Sequence, residues 1–171
     1  MMSNDLQRLA AQLGAVLEAR GWRLAAAESC TGGWIAKCIT DIPGSSGWLE
    51  RGFVTYSNEA KQEMLGVAAE TLAAEGAVSE AVVREMALGA VARSRAEIAV
   101  AVSGVAGPGG GTPAKPVGMV CFGFAFPDRV ETETCYLDGN RDEVRRASVR
   151  HALGGLITRC DATADTPADA C

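Results

Sequence analysis

A short apolar run followed by a glycine-containing turn constrains the fold of this chain more than any other feature. The run, residues 22–27, follows a glycine and is too short for a buried helix, so it predicts a strand. Residues 34–39 then carry apolar side chains at a helical spacing. Between them lies the turn Glu28-Ser29-Cys30-Thr31-Gly32-Gly33. A strand, a tight turn and a helix in succession indicate an α/β fold.

The turn brings polar groups to the point where the helix begins. The backbone N–H groups of Thr31, Gly32 and Gly33 are expected to be unpaired, and the helix dipole favours negative charge there. Such a turn can bind a phosphate or an oxyanion. In the alternative interpretation, Ser29 only caps the helix and the glycines only let strand and helix pack closely. The turn alone leaves both interpretations open.

The order of the predicted elements indicates a three-layer α/β/α fold. A first helix is predicted over residues 4–20, a short one after the cap Asn58, a longer one after the cap Ser79, and a last one from the capping box of Asn140 and Glu143 to about Arg159. Further strands are predicted at residues 48–56, 97–102, 117–126 and 130–137. The last two are joined by a short connection and should pair antiparallel. We expect a mixed, mostly parallel sheet of about five strands with one antiparallel.

The composition of the chain argues against several classes of protein. The net charge of −5 argues against a broad nucleic-acid footprint, and glycines and prolines interrupt the weakly charged residues 98–127, which excludes a membrane span there. The six cysteines form no C-x-x-C pair and no apolar leader follows Met1, which fits reduced thiols in a cytoplasm. We expect one domain over residues 1–160 and a disordered tail over 161–171. An apolar helix face would also allow a homodimer.

The single histidine restricts the chemistry. His151 lies in the predicted last helix, where a packed, hydrogen-bonded role is the expectation, so a Ser-His-Asp triad and a multi-histidine metal site are disfavoured. A serine nucleophile then needs another base, and a lysine whose pKa is lowered by burial can serve. Lys61 follows a predicted strand closely enough to approach Ser29 across the top of the sheet. An exposed helix lysine is the alternative.

A glycine-rich loop, residues 103–116, follows the third predicted strand. It is not a Walker A loop, because Gly110 and Gly111 stand where lysine and serine or threonine are needed. It is not a dinucleotide fingerprint either, because Pro113 and Pro116 prevent an immediate helix. The loop is either a plain connection or a ligand-binding loop at the carboxyl end of a strand.

Two arginines open the last predicted helix. Arg141 and Arg145 lie one turn apart on the same face, where their charge opposes the helix dipole. An anionic ligand such as a phosphate or a carboxylate would offset this cost. Ion pairs with Asp138, Asp142 and Glu143 are the alternative explanation.

Five blocks of this sequence resemble, in order, the C-terminal domain of the CinA competence/damage-inducible proteins. They are Glu28 to Gly33, Tyr56-Ser57-Asn58 with Lys61, Gly76 to Glu80, Ser103 to Gly110, and Gly139-Asn140-Arg141. The resemblance covers nearly the whole chain. Five blocks in the same order are far more specific than any single glycine motif.

The resemblance implies a three-layer α/β/α fold and nicotinamide mononucleotide (NMN) deamidase activity of a Ser/Lys hydrolase. It implies that Ser29 is the nucleophile, Lys61 its base and Tyr56 an assisting hydroxyl. Some members carry an additional N-terminal domain, whereas here only one predicted helix precedes the first strand, as in a stand-alone form. Ser103 stands where threonine is common in the family and keeps the hydroxyl. Cys30 belongs to the family pattern, so its thiol need not be the nucleophile.

The implied reaction also suggests which residues bind the substrate. Backbone N–H groups of the Ser29 turn or of the loop start would stabilise the oxyanion, the glycine-rich loop would contact the pyridinium, and the two arginines would bind the phosphate. No metal or organic cofactor is required. The predicted substrate-binding residues are Thr31, Gly32, Gly33, Asn58, Ser103, Gly104, Gly107, Arg141 and Arg145.

Two other hypotheses compete with this one. The chain could be a nucleotide-binding or protein-interaction module, linked to competence or DNA damage, without turnover. Alternatively, Cys30 could be the nucleophile of a thiol amidase. Lys61 discriminates against the first, since a pure binding site has no use for a deprotonated amine beside Ser29.

Overall fold

Six helices and five strands are arranged in three layers in the computed structural model, which describes residues 3–162. The helices are α1 Ser3–Arg20, α2 Trp34–Thr40, α3 Asn58–Leu65, α4 Ala69–Glu75, α5 Glu80–Ala92 and α6 Arg141–Ala162. The strands are β1 Leu24–Glu28, β2 Leu49–Val54, β3 Ile98–Gly104, β4 Met119–Phe126 and β5 Arg129–Tyr136. A short 3-10 helix, Ser45–Gly47, precedes β2.

The sheet has the strand order β2-β1-β3-β4-β5. β1 pairs in parallel with β2 and β3, whereas β4 is antiparallel to both of its neighbours. The predicted mixed, mostly parallel sheet with one antiparallel strand is therefore confirmed. The carboxyl ends of β1, β2, β3 and β5 meet at one edge. The crossovers that follow β1 and β2 lie on opposite faces, and such a switch point opens a crevice at that edge.

Apolar side chains on the two faces of the sheet form two cores. α1, α2 and α6 cover the face that carries Leu24 and Phe122, while α3, α4 and α5 cover the face that carries Ala25. Alternation along β1 sends successive side chains to opposite cores. The second face has small residues, and a Cβ at Gly123 would overlap the carbonyl oxygen of Val83. α5 therefore packs directly against the backbone of β4.

Three local predictions differ from the structure. Ser57, not Asn58, caps α3, because the Ser57 side chain accepts a hydrogen bond from the N–H of Ala60. Ser103 and Gly104 belong to β3 rather than to the loop, because they continue the ladder with β4. Helix α4 was not predicted, since a seven-residue helix with one buried side chain leaves little apolar periodicity to detect.

The last helix is longer than predicted. α6 begins at the expected capping box, where Asn140 Oδ1 accepts from the N–H of Glu143 and Glu143 Oε2 accepts from the N–H of Asn140. It runs to Ala162, so the first two residues of the predicted tail are helical, and residues 163–171 lie outside the described residues. Despite the 22 residues of α6, no helix within residues 3–162 has the length and hydropathy to cross a membrane.

Alanine at Gly89 is expected to destabilise the fold by about 3 kcal/mol, because its Cβ would overlap the carbonyl oxygen of Leu65 where α5 crosses the end of α3. The matched control is Gly154→Ala in α6, where a Cβ would meet nothing within 4 Å. This control should gain about 0.5–1 kcal/mol from helix propensity. Urea unfolding measures both, and equal stabilities of the two variants would contradict the close helix crossing.

Candidate active site

A pocket of about 210 Å³ opens at the carboxyl edge of the sheet. Its walls come from the segments that follow β1 and β2, the end of β3 and the start of α6. The residues that line it are Ser29, Cys30, Tyr56, Asn58, Lys61, Ala77, Val78, Ser103, Gly104, Ala106 and Arg141. Most of the predicted site residues therefore come together, whereas Thr31, Gly32, Gly33, Gly107 and Arg145 do not line the pocket.

Ser29 and Lys61 form a buried pair in this pocket. Lys61 Nζ lies 2.9 Å from Ser29 Oγ and donates a 2.8 Å hydrogen bond to the carbonyl oxygen of Thr55. Ser29 is 8% exposed and Lys61 1%. A neutral amine has two N–H bonds and one lone pair, so an N–H can remain on Thr55 while the lone pair accepts from Ser29 Oγ. The pair has the geometry of a nucleophile and its base.

The start of α3 explains how Lys61 reaches the sheet edge. Ser57 caps this helix, and Lys61 lies at its fourth residue, one turn from the N-terminus. Long side chains on a helix point back toward its N-terminus, so a lysine in the first turn extends toward the carboxyl end of β2. The amine consequently reaches Ser29, 32 residues earlier in the chain.

Burial lowers the pKa of Lys61 from its ordinary value of 10.5, and the nearby Cys30 opposes this shift. Desolvation disfavours the ammonium form. Within residues 3–162, Nζ hydrogen-bonds only to the Ser29 hydroxyl and the Thr55 carbonyl, and neither is a carboxylate that would stabilise the charge. The amine is thus suited to accept a proton.

The N-terminus of α2 holds an internal anion, which corrects one expectation. The buried Glu28 carboxylate accepts hydrogen bonds from the N–H groups of Ile35 and Ala36 and from the Thr31 hydroxyl, at 2.7–3.0 Å. The Thr31 side chain therefore stabilises Glu28 instead of facing a substrate. Glu28 occupies the place that the sequence suggested for a phosphate, since a carboxylate at a helix N-terminus satisfies the same donors.

The turn itself offers fewer donors than expected. The N–H of Gly32 donates to the carbonyl oxygen of Ser29, whereas those of Thr31 and Gly33 have no acceptor within the described part of the chain. Ser29 does not cap α2, because Gly33 occupies the cap position without a side-chain hydrogen bond. Both glycines of the turn have positive φ angles, 61° and 101°, which favour glycine.

Arg145 stabilises the Ser29 turn and does not face the pocket. Its guanidinium donates to the carbonyl oxygens of Cys30 and Thr31 at 3.0 and 3.2 Å, and it lies over the Trp34 ring. The prediction that Arg145 binds a phosphate is therefore not supported. Helical spacing correctly placed Arg141 and Arg145 on one face of the helix. The guanidinium of Arg145, however, already donates its hydrogen bonds to carbonyl oxygens of the Ser29 turn.

Arg141 remains at the pocket and connects two of its walls. Its guanidinium donates to the Gly107 carbonyl oxygen at 2.7 Å and to the Tyr56 hydroxyl at 3.2 Å. Gly107 thus holds Arg141 in place from the glycine-rich loop. Tyr56 is 63% exposed, and no hydrogen bond within residues 3–162 joins it to Ser29 or Lys61. A direct Ser29-to-Lys61 proton transfer needs no relay through Tyr56.

Ser103 and Gly104 complete the pocket at the end of β3. Ser103 is buried, and its hydroxyl has no hydrogen-bond partner within the described residues. A Cβ at Gly104 would lie 2.7 Å from a Val120 methyl carbon, so only glycine fits there. Ala77 and Val78 add an apolar wall that residue chemistry alone did not predict. These two residues belong to the block Gly76 to Glu80, one of the five that carry the family resemblance, and this block could have identified them as site residues.

Cys30 and His151 have environments unlike those of a nucleophile and its base. Burial raises the pKa of the Cys30 thiol to about 11, so the thiol stays protonated at neutral pH. His151 packs its ring against Phe122, 4.4 Å between ring centroids, and hydrogen-bonds to Glu133. It does not line the pocket, and the expected packed role is confirmed.

Replacing Glu28 with glutamine is expected to reduce the free energy of unfolding by about 2 kcal/mol, because the amide nitrogen cannot accept the N–H that the second carboxylate oxygen binds. Urea unfolding provides the measurement. Glu63→Gln, on the exposed side of α3, is the matched control and should change stability little. Equal effects of the two substitutions would show that Glu28 does not anchor α2.

The fold and the pocket define the class of this protein: an α/β protein whose switch-point crevice carries a paired serine and lysine. More specifically, the chain belongs to the CinA C-terminal domain family, which matches residues 6–160. The family named from the sequence blocks is therefore confirmed.

Relatives of known name cover most of the chain. The nicotinamide-nucleotide amidohydrolase PncC of Escherichia coli K12 is 56% identical over 158 residues, which are 91% of this chain and 95% of that protein. A putative competence-damage inducible protein of Symbiobacterium thermophilum is 52% identical, and the match covers 90% of this chain but 38% of that longer protein. The crystal structure of the competence/damage inducible protein CihA from Agrobacterium tumefaciens superimposes with a TM-score of 0.87 at 48% identity, covering 90% of this chain and 94% of that one.

Proposed function

We propose that this protein hydrolyses the carboxamide of NMN to nicotinic acid mononucleotide and ammonia, with Ser29 as nucleophile and Lys61 as base. The observation that carries the proposal is the 2.9 Å approach of a buried lysine amine to a serine hydroxyl inside a pocket. The 56% identity with a nicotinamide-nucleotide amidohydrolase supports the choice of substrate. The reaction uses no metal or organic cofactor.

The first half of the reaction forms an acyl-enzyme. Neutral Lys61 takes the proton of Ser29, and Ser29 Oγ attacks the carboxamide carbon of the nicotinamide ring. The tetrahedral intermediate collapses when the carbon–nitrogen bond breaks. Lys61 returns its proton to the leaving nitrogen, which departs as ammonia, and the nicotinoyl group stays as an ester on Ser29.

The second half releases the acid. Lys61, again neutral, takes a proton from a water molecule, and the hydroxide attacks the ester carbon. The carbon–oxygen bond to Ser29 breaks, and the Lys61 proton restores the Ser29 hydroxyl. The product acid loses its proton to solvent, and nicotinic acid mononucleotide leaves as a carboxylate. The overall stoichiometry is one water consumed and one ammonia released for each substrate.

Both steps develop negative charge on the carbonyl oxygen. The unpartnered hydroxyl of Ser103 lines the pocket and is the candidate donor, whereas the N–H groups of Thr31 and Gly33 belong to residues outside the pocket lining. One preorganised donor of this kind typically contributes about 3 kcal/mol to transition-state stabilisation. Arg145 would support catalysis indirectly, because it holds the carbonyl oxygens of Cys30 and Thr31 and thereby fixes the turn that carries Ser29.

Arg141 is our choice for phosphate recognition. Among the residues that the structure describes, it is the one arginine that lines the pocket, and its guanidinium can form paired bonds with phosphate oxygens. Arg141→Gln should raise KM for NMN about 10- to 100-fold, the cost of a lost charge-assisted hydrogen bond. It should leave hydrolysis of nicotinamide riboside, which has no phosphate, nearly unchanged. A purely structural role would impair both substrates alike, so steady-state kinetics with the two substrates decides between the roles.

The proposal is tested by incubating purified protein with NMN and measuring ammonia and nicotinic acid mononucleotide. We expect the two products to appear in equal amounts. Heat-denatured protein is the control for spontaneous hydrolysis. Binding of NMN without ammonia above this control would favour the alternative, a nucleotide-binding or interaction module without turnover.

We also propose that the reaction takes place in the cytoplasm. Cys30, Cys38, Cys121 and Cys135 are free thiols, which fits a reducing compartment. A homodimer through an apolar helix face and the absence of nucleic-acid partners stay predictions from the sequence. Size-exclusion chromatography with light scattering tests the first of these.

A further inference from the structure

A second cluster of reactive side chains lies outside the Ser29 pocket, between β5 and α6. It consists of Glu133 and Cys135 from β5 and His151 from α6, whose ligand atoms all lie within 4.8 Å of one another. None of the three lines the Ser29 pocket. Ten residues of α6 separate His151 from Arg141, which corresponds to about 15 Å along the helix.

The pleat of β5 explains why these side chains converge. Residues 133 and 135 are two apart and so project from the same face of the sheet, the face covered by α6. The intervening Thr134 projects to the opposite face and hydrogen-bonds to Glu80 of α5. A carboxylate and a thiol are thereby presented to one turn of α6.

The distance between Cys135 and His151 matches that of two ligands on a tetrahedral zinc ion. His151 Nε2 lies 3.5 Å from Cys135 Sγ. Zinc bonds of about 2.3 Å to sulfur and 2.0–2.1 Å to nitrogen, at a tetrahedral angle, separate the two ligand atoms by about 3.5 Å. His151 Nε2 also hydrogen-bonds directly to Glu133 Oε1, so one nitrogen faces both other ligand atoms, and a zinc ion would replace this hydrogen bond and move the two atoms apart.

Access to the cluster also fits a metal ion. The Glu133 and His151 side chains are about one-third exposed, and they border an open groove of about 530 Å³ that leaves room for a water as fourth ligand. Arg159 Nη2 lies 3.5 Å from Glu133 Oε1, so a metal ion would compete with this guanidinium for the carboxylate. A thiolate and a carboxylate together balance the charge of a divalent ion.

We propose that Glu133, Cys135 and His151 bind one Zn²⁺ ion, with water in the fourth position. The combination of thiolate, imidazole and carboxylate suits zinc among the common divalent metals. Binding forms bonds from Zn²⁺ to Cys135 Sγ, His151 Nε2 and a Glu133 oxygen, and it releases the thiol proton to solvent. The ion links the edge strand β5 to α6 and takes no part in chemistry at Ser29.

The test uses reduced, untagged, metal-free protein, so that His151 is the only imidazole in the sample. One equivalent of Co²⁺ should produce a thiolate-to-metal charge-transfer band and the intense visible bands of tetrahedral cobalt, and Zn²⁺ should displace them. In a separate NMR titration with Zn²⁺, the single histidine resonance should shift and saturate at one equivalent. Absence of saturation near one equivalent in both titrations overturns the proposal.

Variants identify the ligands. Cys135→Ala and His151→Gln should each abolish the cobalt bands, while Cys38→Ala, which removes a buried thiol on α2, should retain them. Circular dichroism verifies folding, and Cys135→Ser serves as a second variant if Cys135→Ala unfolds. Cobalt bands that persist without the Cys135 thiol, or that disappear in Cys38→Ala, overturn the assignment. Ammonia release from NMN should be unchanged in Cys135→Ala, which separates this site from the proposed catalytic one.

Discussion

Alanine at Ser29 is expected to reduce the rate of ammonia release from NMN by about 10⁴-fold or more, the range found when a catalytic nucleophile is removed. The substitution deletes Oγ, the atom that lies 2.9 Å from Lys61 Nζ. Binding of NMN should persist, since Arg141 and the pocket walls are untouched. Single-turnover kinetics and equilibrium binding of NMN separate these two effects.

Cys30→Ala is the control for the Ser29 variant. Cys30 also lines the pocket, but burial raises the pKa of its thiol to about 11, which leaves almost no thiolate at neutral pH. This variant should retain most of the activity. The opposite pattern, an active Ser29→Ala and an inactive Cys30→Ala, would make the protein a thiol amidase.

Methionine at Lys61 is expected to reduce ammonia release by about 10³-fold, because it keeps an unbranched side chain of similar length but removes the general base. In the wild-type protein, kcat/KM should rise with pH as Lys61 loses its proton. Since burial lowers the pKa of Lys61, this rise should come at a lower pH than an exposed lysine would give. A pH profile of kcat/KM provides the measurement.

Lys61 should also affect how stability depends on pH. Its folded-state pKa is below the ordinary 10.5, so between the two values the unfolded chain binds a proton that the folded chain does not. Stability therefore rises with pH across this interval, and below the folded-state pKa the full cost of burying the charge remains. Urea unfolding at a series of pH values should show this rise in the wild type and its loss in Lys61→Met.

The matched control for Lys61 is Lys37→Met. Lys37 is exposed on α2 and pairs with Asp41, which raises its pKa, so it adds no rise in stability below 10.5. This variant should keep both the activity and the pH dependence of the wild type. Lys61→Met with normal activity, or with an unchanged stability profile, would contradict a buried neutral amine at Ser29.

Local rules predicted much of the fold from the sequence. The apolar run before Ser29 became β1, and the capping box of Asn140 and Glu143 begins α6, because apolar patterning and capping depend on residues close in sequence. The same rules failed where a nearby alternative existed. Ser57 caps α3 in place of Asn58, and the ladder with β4 extended β3 through Gly104.

The sequence by itself determined the class of fold, the family and a short set of candidate groups, since periodicity and motif order are properties of the chain. Only the tertiary structure decided which groups meet. In the folded chain the buried amine of Lys61 contacts the Ser29 hydroxyl. Arg145 points away from the pocket and donates to a carbonyl oxygen of the Ser29 turn. The physical reason is that proximity, desolvation and competition for hydrogen-bond partners depend on distances between segments far apart in the chain. The same holds for Cys135 and His151, which only the packing of α6 on β5 brings together.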